Sequence, residues 1–146
     1  MLTSKTYLPD LNVWLALVSR RHVHYQTASG WLETASEHQI AFCRITQMGL
    51  LRLVTNRHVM GADVLTQSEA WRVYRRLAGD GRIQFLSEPL GIEAAWHELT
   101  AGRQPATNMW TDAYLQAFGR LTDAQVVSFD RGFSRFGEPK ALILGF

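Results

Sequence analysis

With 146 residues, 47% of them hydrophobic and 19% charged, the chain can bury one core without disulfide staples, and its composition is that of an ordinary soluble globule rather than a disordered chain. A single cysteine, Cys43, excludes an internal disulfide, and a net charge of +2 with a pI near 9.0 is too slight to argue for a polyanionic partner. The kind of cation says more: 13 of the 15 basic residues are arginine, which pairs with phosphate through two parallel hydrogen bonds, although genome composition explains the bias equally well.

The N-terminus, Met1-Leu2-Thr3-Ser4-Lys5, lacks the apolar stretch of a signal peptide, and no run nears the roughly 20 apolar residues that span a bilayer. A cytoplasmic protein with no membrane partner is the expectation. Thr6-Tyr7-Leu8 reads as a short strand stopped by Pro9. Val13, Trp14, Leu17 and Val18 then share one face of a helix, and Ala28, Trp31, Leu32 and Ala35 repeat that period from His24 to Ala35. Ile40 to Cys43 is β-like, with Cys43 a buried, inert thiol. Met48, Leu50, Leu51, Leu53 and Val54 predict a helix ending near Asn56, followed by a turn at Gly61-Ala62-Asp63. A helix over Leu65 to Leu77 is closed by Gly79-Asp80-Gly81, and Ile83 to Leu86 is the third strand. Ile92 to Leu99 is helical, 102–108 is a polar loop, and a helix runs from Trp110 to Leu121. Gln125 to Phe129 and Ala141 to Leu144 read as the fourth and fifth strands.

No repeat, linker or low-complexity tract divides the chain, so residues 1–146 are expected to form one domain. Strands and helices alternate, which predicts an α/β fold: a central parallel sheet of about five strands with helices on both faces.

Three acids occupy comparable places in that scheme. Asp10 follows a strand and precedes a helix, Asp112 lies in a helix's first turn, and Asp130 follows the fourth strand. Taken singly, each has an ordinary explanation: an N-cap, a favourable macrodipole partner and a turn former. Taken together, all three fall where an open α/β sheet builds its site, at the carboxyl ends of the strands. Three carboxylates gathered there would suppress one another's ionisation unless a cation sat among them, which points to a divalent metal. The period of two puts Ser128 on the same side as Asp130. His22 and His24 have no third ligand nearby and read as a solvated turn. Trp14, Trp31, Trp71 and Trp96 fall on apolar helical faces and read as core, leaving Trp110 beside the proposed site. Neither a nucleotide fingerprint nor a Walker-type lysine occurs.

The segments LPDLNVWLAL, RITQMGLLRLVTN, WTDAYL and VVSFDRGF, in that order, resemble the blocks of PIN-domain ribonucleases, specifically the toxin half of VapBC-type toxin–antitoxin modules. The resemblance spans the chain. It implies a PIN-like nuclease domain, a magnesium-dependent endoribonuclease with manganese as a substitute, inhibition by a cognate antitoxin protein, and a homodimer. Asp10, Asp112 and Asp130 match the family's metal-binding acids, with Asp10 and Asp112 as direct ligands and Asp130 as a ligand or a water-orienting group. Gln47 stands where the family commonly has glutamate, so the site loses one formal charge, and a second metal ion is weakened before the first. Asn12, Gln47, Thr111 and Ser128 are expected to support the ligands by hydrogen bonds, and Arg52 and Arg131 to hold substrate phosphates. Two other readings stay open: a PIN-like protein crippled by Gln47 that binds RNA or an antitoxin without cutting, and a metal-dependent DNA nuclease.

Overall fold

Neighbouring residues on the central strands feed two different cores, and this alternation sets the architecture. In the computed structural model, which describes residues 4–145, β1 (Thr6–Pro9), β2 (Gln39–Phe42), β3 (Ile83–Phe85), β4 (Ala124–Ser128) and β5 (Leu142–Ile143) form one parallel sheet. The strand order is β3-β2-β1-β4-β5. Tyr7, Ile40, Phe42, Ile83 and Val127 face one side, and pack on α1 (Leu11–Val18), α2 (Tyr25–Thr34), α3 (Arg44–Val54) and α5 (Gln67–Ala78), with α4 (Arg57–Met60) a short link between the last two. Trp14 anchors that layer, stacked on Phe42 with ring centroids 3.7 Å apart. Leu8, Ala41 and Val126 face the other side, against α6 (Ile92–Leu99), α7 (Trp110–Thr122) and the turn carrying Phe133 and Phe136. Gly119 lets α7 close on the sheet: a Cβ there would lie 2.6 Å from the Ala124 carbonyl oxygen.

The chain builds outward from β1 to β2 and β3, then returns to add β4 on the other side of β1. The order of connection therefore reverses between β1 and β4, the central pair. In open α/β sheets the crevice beyond the strand ends at such a reversal is where ligands bind.

The predicted elements appear in the predicted order, with two instructive shifts. The strand expected to reach Cys43 ends at Phe42, because Cys43 caps α3: its N–H donates to Thr46 Oγ1 at 3.1 Å, and its Sγ lies 3.7 Å from the same oxygen. Helix α3 thus begins at Arg44, a full turn before Met48, and Gln47 falls in that first turn. The Cys43 thiol is fully buried and burial pushes its pKa up, as expected of an inert cysteine. Helix α5 begins at Gln67 rather than Leu65, fixed by a reciprocal cap between Thr66 and Glu69. Trp71 is a correction: 43% of it is exposed, with the Arg75 guanidinium 5.6 Å from its ring centre, so it flanks the core instead of filling it. No helix among the described residues is long and apolar enough to cross a membrane.

Candidate active site

Asp10 leaves the carboxyl end of β1 and starts α1. Its backbone N–H extends the ladder by donating to the Val127 carbonyl at 2.7 Å, so the residue is pinned to β4 before its side chain does anything. Asp10 Oδ1 then accepts the Leu11 N–H at 2.7 Å, capping α1, and Oδ2 accepts the Ser128 hydroxyl at 3.0 Å. Capping and convergence on the site are one arrangement.

Ser128, fully buried at the end of β4, is the hub. Besides donating to Asp10, its Oγ accepts the Asp130 N–H at 3.0 Å and Asn12 Nδ2 at 3.5 Å. Asp130 is exposed, and its Oδ1 accepts the Gly132 N–H at 2.8 Å, which starts the following turn. Asn12 Oδ1 is buried with no donor of its own.

Asp112 comes from the third direction, the first turn of α7. Burial, then the negative charges of Asp10 and Asp130, push its pKa up to about 6, with Arg135 pulling the other way. Burial also raises Asp10, opposed by the Leu11 and Ser128 hydrogen bonds, and the charge of Asp130 adds to the rise. Asp112 therefore feels both other acids and Asp10 feels Asp130, although 120 positions separate Asp10 from Asp130 in the chain. Among the described residues, no three His, Cys, Asp or Glu side chains are gathered closely enough to grip an ion at once. The acids stand in electrostatic range of one another without closing into a cage.

The structure sorts the remaining sequence candidates. Asn12 and Ser128 join the acids. Gln47 does not: Arg44 Nη1 donates to its Oε1 at 2.5 Å within α3, its side chain also hydrogen-bonds to Tyr74 of α5, and no hydrogen bond joins it to an aspartate. Thr111 is exposed beside Asp112 and hydrogen-bonds to none of the three acids. Arg52 lines a separate cleft of about 430 Å³ between α3 and α5, with Leu51, Gln67 and Trp71. Arg131 is exposed next to Asp130. Trp110 is 53% exposed, and its carbonyl accepts Trp96 Nε1 at 2.9 Å, which ties the start of α7 to α6. His24 stacks on Phe129 with ring centroids 4.4 Å apart, a packing role.

Sequence reasoning missed Arg135. Its Nη2 lies 3.5 Å from Asp112 Oδ2, and its guanidinium sits 4.5 Å from the centre of the Phe136 ring. The signal was faint: Arg135 falls just beyond the VVSFDRGF block, five residues after Asp130, in a turn whose path cannot be read from periodicity.

A parallel sheet with carboxylates converging at its switch point defines a class of α/β protein, and comparison with known proteins narrows it. Residues 7–139 match the PIN domain model, and the chain belongs to the PIN domain family. It is 42% identical over 135 residues to ribonuclease VapC41 of Mycobacterium tuberculosis, an alignment covering 89% of this chain and 92% of that protein. Among solved structures, Mycobacterium tuberculosis VapC20, a sarcin-ricin loop cleaving toxin, superposes with a TM-score of 0.69 at 14% identity, covering 95% of this chain and 99% of its own. VapBC-1 of nontypeable Haemophilus influenzae gives a TM-score of 0.67 at 15% identity over 94% of this chain and 97% of its own. At such identities these two structures speak for the fold, and the VapC41 sequence for kinship.

Proposed function

We propose that the protein is a divalent-metal-dependent endoribonuclease, the toxin of a toxin–antitoxin module. The observation that carries this reading is the electrostatic stress on Asp112 and Asp10, to which the charge of Asp130 contributes, at the β1/β4 switch point. Kinship with a protein named a ribonuclease supports the activity, and the fold shared with VapBC-1 supports an antitoxin as partner.

The residues fit a hard cation. The donors are carboxylate oxygens, and Asn12 Oδ1 is a buried acceptor lacking a donor, as expected beside a hydrated ion. Magnesium keeps several waters, so a set of acids that does not close into a cage by itself is adequate for it, and for manganese. Asp10 and Asp112 would hold the ion, Asp130 would hold it or orient water, and Ser128 and Asn12 would fix the direction of Asp10. Such an ion supplies Lewis-acid assistance to phosphodiester hydrolysis. The chain's own part is to keep Asp10 aimed through two hydrogen bonds, to hold Asp112 partly out of water, and to offer Arg131 at the rim for phosphate.

The test is an RNA cleavage assay with magnesium, with chelator, and with Asp10→Asn. Cleavage that needs magnesium and Asp10 is the expected result. RNA retained without products at any magnesium concentration would establish the binding-only alternative, and cleavage confined to DNA would replace RNA as substrate.

A further inference from the structure

We propose that Arg135 is a positioning residue that stands in for a cation beside Asp112 and sets how tightly the acid site takes up a divalent ion. This inference rests on the metal-dependent reading above. Three features hold the guanidinium in place. It pairs with Asp112 at 3.5 Å, and its face lies over the Phe136 ring at 4.5 Å. It also lies against Gly132: a Cβ there would collide with Arg135 Nη1 and stand 3.0 Å from Asp130 Oδ1, so the missing side chain leaves the guanidinium room beside the turn that Asp130 starts.

The platform beneath it is fixed. Phe136 is buried, and Arg120 of α7 donates to the Phe136 carbonyl at 3.1 Å and to the Glu138 carbonyl at 3.1 Å. The turn that carries Arg135 is thus tied to the helix that carries Asp112. A divalent ion and this guanidinium seek the same carboxylate, and each lowers the affinity of Asp112 for the other.

That competition predicts opposite signs for two measurements, which a purely structural prop cannot produce. Removing Arg135 leaves the acids less compensated, so the metal-free protein loses stability while metal affinity increases. The experiment is calorimetric titration of the full chain with Mn2+ alone at pH 7.5 and low salt, alongside thermal unfolding in chelator, for Arg135→Gln, Arg135→Met and Arg135→Lys. Arg135→Gln and Arg135→Met should bind Mn2+ about three- to tenfold more tightly and melt lower in chelator, with the gain shrinking at high salt. Arg135→Met keeps an apolar stem over Phe136, so loss of packing is controlled. Arg135→Lys should bind Mn2+ like the unaltered chain. Unchanged or weaker Mn2+ binding in both neutral variants would overturn the proposal while leaving the metal site intact; no Mn2+ binding by the unaltered chain would instead overturn the metal-dependent reading, and this inference with it.

Discussion

Replacing Asp112 by Asn should stabilise the metal-free protein while destroying its response to metal. Folding moves this carboxyl from 3.8 to about 6, so at neutral pH the folded protein carries a charge it would shed if it could. At about 1.36 kcal/mol per pH unit of displacement, the ionised side chain costs about 3 kcal/mol of stability. The side chain is 19% exposed, so solvent screens it little, and the opposing pull of Arg135 is already contained in that displacement. The gain is therefore about 3 kcal/mol, or about 6 to 12 °C in melting temperature for a chain of this size.

The pH dependence gives the sharper check. A raised carboxyl pKa means that the folded state binds the proton more tightly than the unfolded state. Stability from Asp112 is therefore complete below 3.8, is lost as pH rises towards about 6, and changes no further above that. Thermal unfolding of both proteins in chelator from pH 3.5 to 8 should show matching curves at the acid end and a gap that opens across this window. Adding magnesium at pH 7.5 should then raise the midpoint of the unaltered chain alone. A variant that melts at or below the unaltered chain at pH 7.5, or a gap that persists at pH 3.5, would refute the assignment of electrostatic stress to Asp112.

The same titration governs metal uptake: Mn2+ affinity measured by calorimetry should be level above pH 6.5 and weaken about tenfold per pH unit below about 6, as a proton competes for Asp112. Ser128→Ala removes the hydroxyl that joins Asp10, Asn12 and the Asp130 N–H, so it should cost about 1 to 3 kcal/mol in denaturant unfolding and weaken Mn2+ binding as well. Gln47→Glu should leave the magnesium-induced midpoint shift unchanged, because Arg44 beside that side chain would take the new charge; a larger shift would show that position 47 reaches the metal.

The sheet was legible because burial on both faces leaves a simple mark: Tyr7 and Leu8, Ala41 and Phe42, Val126 and Val127 are all apolar, yet each pair divides between the two cores. The convergence of Asp10 and Asp130 was legible for a related reason, since residues at the carboxyl ends of neighbouring parallel strands have few places to go. Periodicity failed where side chains are polar or the backbone is irregular. The first turn of α3 carries Ile45, Thr46 and Gln47, which give no apolar stripe, so periodicity alone starts the helix at Met48 and leaves Gln47 outside it. The family resemblance puts Gln47 in an acidic slot, whereas in the fold its side chain hydrogen-bonds to Arg44 and Tyr74. Trp71 adjoins Ala70 in sequence, and one step of about 100° around the helix takes it from the core to the flank. Arg135 depends on a turn held by Arg120, a contact no local pattern announces.

Asp10 raises the question of whether a carboxylate that caps a helix can also be a ligand, and the two roles can be separated by one substitution. Serine caps a helix about as well as aspartate, whereas alanine at the same position costs about 1 kcal/mol. Asp10→Ser should therefore hold α1 nearly as well as the unaltered chain, and removing a buried carboxylate beside Asp112 and Asp130 offsets the lost Ser128 bond. In chelator its melting temperature should exceed that of Asp10→Ala by about 2 to 4 °C. If capping were the whole role of Asp10, Asp10→Ser would keep the magnesium-induced shift; if the carboxylate is a ligand, both variants lose it equally. The direction of the side chain favours the second outcome. A cap needs one oxygen, and Oδ1 satisfies the Leu11 N–H, while Oδ2 is turned by Ser128 towards the side of the sheet where Asp112 and Asp130 stand.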